Sequence, residues 1–203
     1  MVLQGENMVL THEILKAQLK DYSNINNKIN RKIKAQELFP IITGLYETDP
    51  NVPGYLLASS IYGPSYISFE YALAYYGLIP EKVTTVTCAT FNKRKKKEYL
   101  TKFGNFTYRD VPVLAYPEEI LLISEKDYSY QIATPEKALC DKLYTLKPLY
   151  NYTKLKNMLF EDLRIDYEDL VKLDVNKIGK LVKLYHCTNI DLLYKYLMMC
   201  ANE

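Results

Sequence analysis

The 203-residue chain has no tryptophan, two histidines, four cysteines and seven glycines. Each shortage excludes something. The cysteines, Cys88, Cys140, Cys187 and Cys200, form no Cys-x-x-Cys pair, and the histidines are His12 and His186. That is no zinc framework. The neighbours His186 and Cys187 cannot easily ligate one ion together. All four cysteines read as core or surface thiols of a reducing compartment. Two histidines also leave little general-base equipment near neutral pH. There is no glycine-rich phosphate loop and no Ser/His/Asp order. The longest apolar runs, such as Ile120–Ile123, fall far short of the ~20 residues of a membrane span. Met1–Glu6 shows no basic region followed by a long apolar stretch, so no signal peptide is expected and the default location is the cytoplasm. With 48% hydrophobic and 25% charged residues, intrinsic disorder is not expected, and the length permits a core without metal or disulfide staples.

Tyrosine, by contrast, occurs 20 times, and lysine, asparagine and isoleucine are common too. A bias toward A/T-rich codons accounts for most of this. The formal net charge of +2 conceals a strong segregation. Residues 1–109 carry 14 Lys/Arg against 9 Asp/Glu, residues 110–169 carry 7 against 12, and residues 170–203 carry 5 against 3. Within the first part, 12–46 holds 6 basic and 3 acidic residues, 82–109 holds 8 and 1, and 47–81 has no Lys or Arg. The sequence therefore contains two basic blocks and one acidic block.

Thr11 suits the N-cap of a short helix in which Ile14, Leu15 and Leu19 form an apolar face. Asp21-Tyr22-Ser23 breaks it, and Ser23 can cap a second helix. Ile25, Ile29 and Ile33 then recur at i, i+4, i+8, a narrow buried stripe. The opposite face holds Asn27, Arg31 and Lys34, flanked by Asn24, Asn30 and Lys28. Leu38–Tyr46 follows with β-branched and aromatic residues around Thr43-Gly44, which reads as a hairpin. Helix, break, polar-faced helix and hairpin is the order of a winged helix-turn-helix, whose second helix enters the major groove while the hairpin leans on phosphates.

Asp49–Gly54 is rich in turn residues and marks a boundary. The expected domains are a winged helix-turn-helix over 1–52 and an α+β domain over 53–203 that ends in helices. In the latter, helices are expected at about Tyr55–Ile61 and after Ser68 up to Gly77. Strands are expected at Thr84–Phe91, Phe103–Tyr108 and Val111–Leu114, with the basic run Lys93–Lys97 between the first two. Ile120–Ser124 and Tyr128–Ile132 form a hairpin turning at Lys126-Asp127. Thr134-Pro135-Glu136 is a strong helix start, and residues 151–203 read as three further helices.

Several of these stretches resemble the AbiEi family of antitoxins. They are Tyr66–Glu81, Thr85-Val86-Thr87 followed by Lys93–Lys97, Phe103–Arg109, and most clearly Ile132-Ala133-Thr134-Pro135-Glu136-Lys137-Ala138-Leu139-Cys140-Asp141-Lys142-Leu143-Tyr144. The resemblance spans roughly residues 10–146. It implies a winged-helix domain that binds the operon's own promoter as a repressor. It also implies a C-terminal domain that counteracts an AbiEii-like nucleotidyltransferase toxin, as in type IV toxin–antitoxin systems, without a lasting complex being required. The wider role it implies is abortive phage infection or element maintenance. No cofactor and no catalytic activity are expected of such a protein.

The candidate DNA-reading residues are Asn24, Asn27, Lys28, Asn30, Arg31 and Lys34 on the second helix, with Thr43 and Tyr46 on the hairpin. Asparagine can pair with both edge groups of adenine and arginine with both acceptors of guanine. The lysines, Thr43 and Tyr46 suit phosphate oxygens. One short helix reads few base pairs, so an inverted repeat bound by two copies is expected, the protein being a monomer in solution or a cooperative pair on DNA. Lys93, Arg94, Lys95, Lys96 and Lys97 read either as a solvated loop or as a second basic patch. Two alternatives remain in view. One is a metal-dependent nuclease using Glu136 and Lys137 with Asp110 or Glu118. The other is an adaptor whose basic loop binds RNA. Helix capping and i,i+4 charge pairs explain Glu136, Lys137, Asp141 and Lys142 without catalysis.

Overall fold

A computed structural model describes residues 8–201. The expectation made for Met1–Glu6 lies outside these described residues. The fold is mixed α+β. Among the described residues no helix is long and apolar enough to cross a membrane.

The chain opens with β1 (Val9–Thr11), α1 (His12–Gln18), α2 (Ile25–Lys34), β2 (Phe39–Ile42) and β3 (Leu45–Glu47). The three strands form an antiparallel sheet in the order β1-β3-β2. Thr11 caps α1 as expected, its hydroxyl accepting from the Ile14 amide at 3.3 Å. The cap of α2 is Asn24 rather than Ser23: the Asn24 carboxamide oxygen accepts from the Asn27 amide at 3.0 Å. Both residue types cap well. Leu10, Leu15, Leu19, Ile29 and Leu38 form a small core, with Ile25, Ile33 and Tyr46 packed against it. Ile14 is not part of the buried face and is 43% exposed. The turn Thr43-Gly44 joins β2 to β3, and Gly44 sits at φ +80°, a conformation that glycine adopts without a Cβ penalty.

The β2–β3 hairpin also reaches the larger core, through Ile41 and Leu45. Polar contacts close the end of β3, and one cation–ring contact ties the hairpin to the larger part of the chain. Glu47 is fully buried, and its Oε1 accepts from the Thr48 amide at 2.7 Å and the Asp49 amide at 3.1 Å. The Lys102 ammonium lies 3.8 Å from the centre of the Phe39 ring. The expected turn over Asp49–Gly54 follows, where the Asp49 carboxylate accepts from the Asn51 amide at 2.8 Å.

The rest is built on a six-stranded mixed sheet. Its strands are β4 (Tyr66–Ile67), β5 (Val86–Thr90), β6 (Lys97–Thr101), β7 (Gly104–Asp110), β8 (Ile120–Glu125) and β9 (Tyr128–Ala133), in the order β6-β7-β5-β4-β9-β8. β5–β7 and β4–β9 are parallel, and the other pairs are antiparallel. Every residue of β5 is buried, as a strand covered on both faces requires. A 3₁₀ turn (Gly54–Leu57) leads into α3 (Ala58–Ile61). α4 (Phe69–Tyr75) and α5 (Pro135–Tyr144) lie side by side, and α8 (Val175–Tyr185) and α9 (Thr188–Cys200) pack on α5. α6 (Tyr152–Lys156) runs into a π-helical segment (Asn157–Asp162), and α7 (Tyr167–Leu170) is a single turn. The C-terminal region therefore has four α-helical pieces where three were expected.

Two strand expectations need correction. Val111–Leu114 is not a strand. The Val111 amide still bonds the Thr90 carbonyl at 2.8 Å, but Pro112 has no donor, and its carbonyl closes a turn with the Ala115 amide at 3.0 Å. Conversely, the end of the basic run belongs to a strand. Lys97–Thr101 pairs with β7 from Tyr108 to Gly104. Its charges hide a strand because edge strands carry lysine on their solvated side.

Candidate functional site

α2 divides its residues as the isoleucine spacing demands. Ile29 is buried, Ile25 and Ile33 are partly buried, and Asn27, Asn30, Arg31 and Lys34 are exposed. At 100° per residue these four lie within one arc opposite Ile29. Arg31, Lys32 and Lys34 stand in the last turn, where the helix dipole favours cations. Lys32 is taken up by Glu37, 2.9 Å away, and this ammonium holds the Glu37 carboxyl below its ordinary range. Lys28 lies over the Tyr22 ring at 4.8 Å. No ion pair among the described residues engages Arg31 or Lys34. Asn24 differs from the other asparagines because its side-chain oxygen is committed to the cap.

On the hairpin, Thr43 is exposed at the turn. Tyr46 is half-buried and packs on the small core, in register with Leu10 and Pro40. The helix face and the hairpin turn thus belong to one small unit, held by one set of apolar side chains.

The run Lys93–Lys97 does not act as one block. Lys93 folds back: its ammonium donates to the Gly63 carbonyl at 3.0 Å and lies 5.1 Å from the Tyr62 ring centre. Arg94 takes φ +57°, and its amide donates to the Asp110 carboxylate at 2.6 Å. Lys95 and Lys96 are exposed in the loop, and Lys97 opens β6.

The acid–lysine group on α5 has a different surrounding from a solvated helix. Thr134 caps the helix and Pro135 stands in its first turn, as expected. Lys137 and Asp141, however, are 0% exposed, with Nζ and Oδ1 3.6 Å apart. The Lys137 ammonium donates to the Ala115 carbonyl at 2.5 Å and to the Tyr185 hydroxyl at 2.6 Å. Asp141 accepts from the hydroxyls of Tyr66 (3.0 Å), Ser68 (2.5 Å) and Tyr185. Burial pushes the Lys137 amine down, and the Asp141 charge opposes that shift. Burial and then Asp141 push the Tyr66 and Tyr185 phenols far up. This hub joins β4, α4, α5, α8 and the turn after β7. Its polar atoms are satisfied internally, the condition for burying charge at all. The sequence marked Lys137 and Asp141 through the helix start, but nothing in it pointed to Tyr66, Ser68 and Tyr185 as their partners.

Glu136 turns the other way. Its Oε1 accepts from the Asp174 amide at 3.0 Å, and its Oε2 lies 3.8 Å from Lys177. The Asp110 carboxylate takes the Thr90 hydroxyl at 2.7 Å and the Arg94 amide. Glu136 and Asp110 are thus tied to different structural partners, Glu118 is exposed, and Lys137 is enclosed. No group of three His, Cys, Asp or Glu among the described residues is arranged to hold a metal ion. Beside the hub, Glu70 receives Lys142 at 2.7 Å and Arg109 at 2.8 Å. Burial works against the Glu70 charge, yet the two cations outweigh it and hold its carboxyl below the ordinary range.

No protein-family model matches this chain, and no curated protein matches it.

Proposed function

We propose that the chain is a DNA-binding antitoxin of the AbiEi type, acting in the cytoplasm. In this reading it represses its own promoter and counteracts a nucleotidyltransferase-like toxin. The observation that carries the proposal is the α2 face. Asn27, Asn30, Arg31 and Lys34 are solvent-facing on a helix pinned from behind by isoleucine, and a tight hairpin follows it in the same three-stranded sheet. Helix pair, sheet order and hairpin suit a winged helix-turn-helix, with α2 in the major groove and the Thr43-Gly44 turn at the flanking phosphates. Base reading falls to Asn27, Asn30 and Arg31, and phosphate contact to Lys28, Lys34 and Thr43. Asn24 then acts by fixing the start of α2 rather than by touching a base. Arg94, Lys95, Lys96 and Lys97 are the exposed members of the basic run that can face an acidic partner.

The test is binding to a fragment of the promoter with and without competitor DNA. Arg31→Ala should cost ~1–3 kcal/mol at the specific site and leave non-specific binding nearly intact. Lys34→Ala should weaken all sequences alike and lower the salt slope by about one. Equal binding by wild type and both variants would remove α2 from the interface. Cleavage of the fragment that needs a divalent metal and is lost in Glu136→Ala would favour the nuclease reading instead. Antitoxicity is tested separately, by co-expression with a nucleotidyltransferase-like toxin.

A further inference from the structure

The two edges of the large sheet are unlike. The β6 edge carries Lys97 and Glu98, charges that discourage strand addition. The β8 edge, Ile120–Ser124, has no charge and no proline, and no described strand lies beyond it. Leu122 is 69% exposed and Leu121 46%.

The hairpin register settles which backbone groups face outward. Glu125 and Tyr128 flank the two-residue turn Lys126-Asp127, and β8 pairs with β9 from there to Ile120–Ala133. In such a hairpin the flanking pair exchanges hydrogen bonds and the pairs then alternate. Residues 121, 123 and 125 therefore bond to β9. Residues 120, 122 and 124 present their N–H and C=O to the open edge.

From this edge we infer that β8 pairs with β8 of a second copy of the chain, antiparallel about a two-fold axis at Leu122. That register sets Leu122 beside Leu122, Ile120 opposite Ser124, and Leu121 across from Ile123, so every outward-facing backbone group meets a complement. Just beyond the ends of the paired strands, the turn carrying exposed Glu118 in each copy comes near the hairpin turn carrying exposed Lys126 in the other, and the two charges are opposite. Glu119 meets Glu125, but Lys177 stands 3.3 Å from Glu119, and the Tyr55 hydroxyl donates to Glu125 at 2.8 Å. Shifting the axis to Ile123 instead places Leu121 against Glu125 and Ile120 against Lys126, which wastes the apolar match. The strand is thus complementary to itself in length, polarity and flanking charge. A second copy fits it better than an unrelated peptide. The contact is small beside the ~1,600 Å² of a standard interface, so the dimer is weak and depends on concentration.

The test uses the full chain without DNA, so its outcome is independent of the promoter reading. Sedimentation velocity from ~1 to ~200 μM should show the mass rising toward twofold, as a micromolar midpoint requires. Leu122→Lys should abolish the rise, and Leu100→Lys, on the β6 edge, should not. Glu118→Lys or Lys126→Glu alone should weaken association, and the two together in one chain should restore it. Hydrogen exchange gives an independent readout: the amides of 120, 122 and 124 should gain protection with concentration, while those of 121, 123 and 125 stay protected throughout. A single monomer mass across the range, a dimer untouched by Leu122→Lys, or unchanged exchange at 122 would overturn the inference.

Discussion

Replacing Asp141 by asparagine keeps the shape of the buried hub and removes one charge. The hydroxyls of Tyr66 and Ser68 still find an acceptor in the amide oxygen. The amide NH₂ is then left facing the Lys137 ammonium and the Tyr185 hydroxyl, which already receives Lys137. At 3.6 Å, with an effective dielectric of ~20, the lost attraction is roughly 4–5 kcal/mol. Removing one partner of a buried ion pair costs about 3–5 kcal/mol, so the two routes agree. That is a large part of the ~5–15 kcal/mol that holds a typical domain together. Urea unfolding followed by circular dichroism should therefore show a much lower midpoint with an unchanged slope. Lys137→Met should cost less, because the Asp141 carboxylate keeps three hydroxyl donors. The double variant Lys137→Met, Asp141→Asn should be more stable than the sum of the single losses implies, since no orphan charge remains. A loss under ~1 kcal/mol for Asp141→Asn, or strict additivity in the double variant, would refute the claim that the pair is charged and mutually compensated.

Alkaline stability should fall steeply above pH ~10. Burial raises the phenols of Tyr66, Tyr108 and Tyr185, so the folded chain keeps protons that the unfolded chain releases. This stability is complete below the ordinary phenol range and is lost progressively as pH rises from that range toward the raised values of the folded phenols. Tyrosinate absorbance should show some phenols ionising only on unfolding, and a titration complete before unfolding would contradict this. Gly54→Ala should destabilise by about 1–3 kcal/mol, because a Cβ there would run into the Phe103 carbonyl. Gly44→Ala should cost about 1 kcal/mol from its left-handed backbone alone, since its nearest new contact would be His12 Cβ at 3.9 Å. Thermal melts compare the two, and equal losses would argue against the close approach at Gly54. Charge removal at Lys95 and Lys96 together should lower the salt slope of DNA binding without changing sequence preference, and a shifted footprint would contradict that.

What could be read in the sequence was local. Thr11, Thr134-Pro135 and the isoleucine spacing of α2 each report on a few neighbouring residues, and the structure follows them. The hairpin at Lys126-Asp127 was legible for the same reason. The failures came where a local signal competed with a distant one. Ser23 and Asn24 are both good caps, and only the geometry of the first turn selects Asn24. The run Lys93–Lys97 reads as a solvated loop or a basic patch, while pairing with β7 makes its last member the start of an edge strand. Lys137 and Asp141 have the spacing of a surface ion pair, and they are enclosed because Tyr66, Ser68 and Tyr185 converge on them from three other elements. Side chains far apart in the chain leave no periodic trace, so the sequence carries no local sign of this hub.

The two-residue strand β4 has a consequence for how the chain folds. It alone joins the β6-β7-β5 half of the large sheet to the β9-β8 half, with Ile67 set against Cys88 on one side and Ile132 on the other. Each half is made of neighbours in the chain or of a short crossover, and can organise early. The junction must close a loop between Ile67 and Ile132 before any contact rewards it, and loop closure over such a span slows folding. Substitutions at Tyr66 or Ile67 should therefore appear in the rate of folding, as a late zipper between two preformed halves.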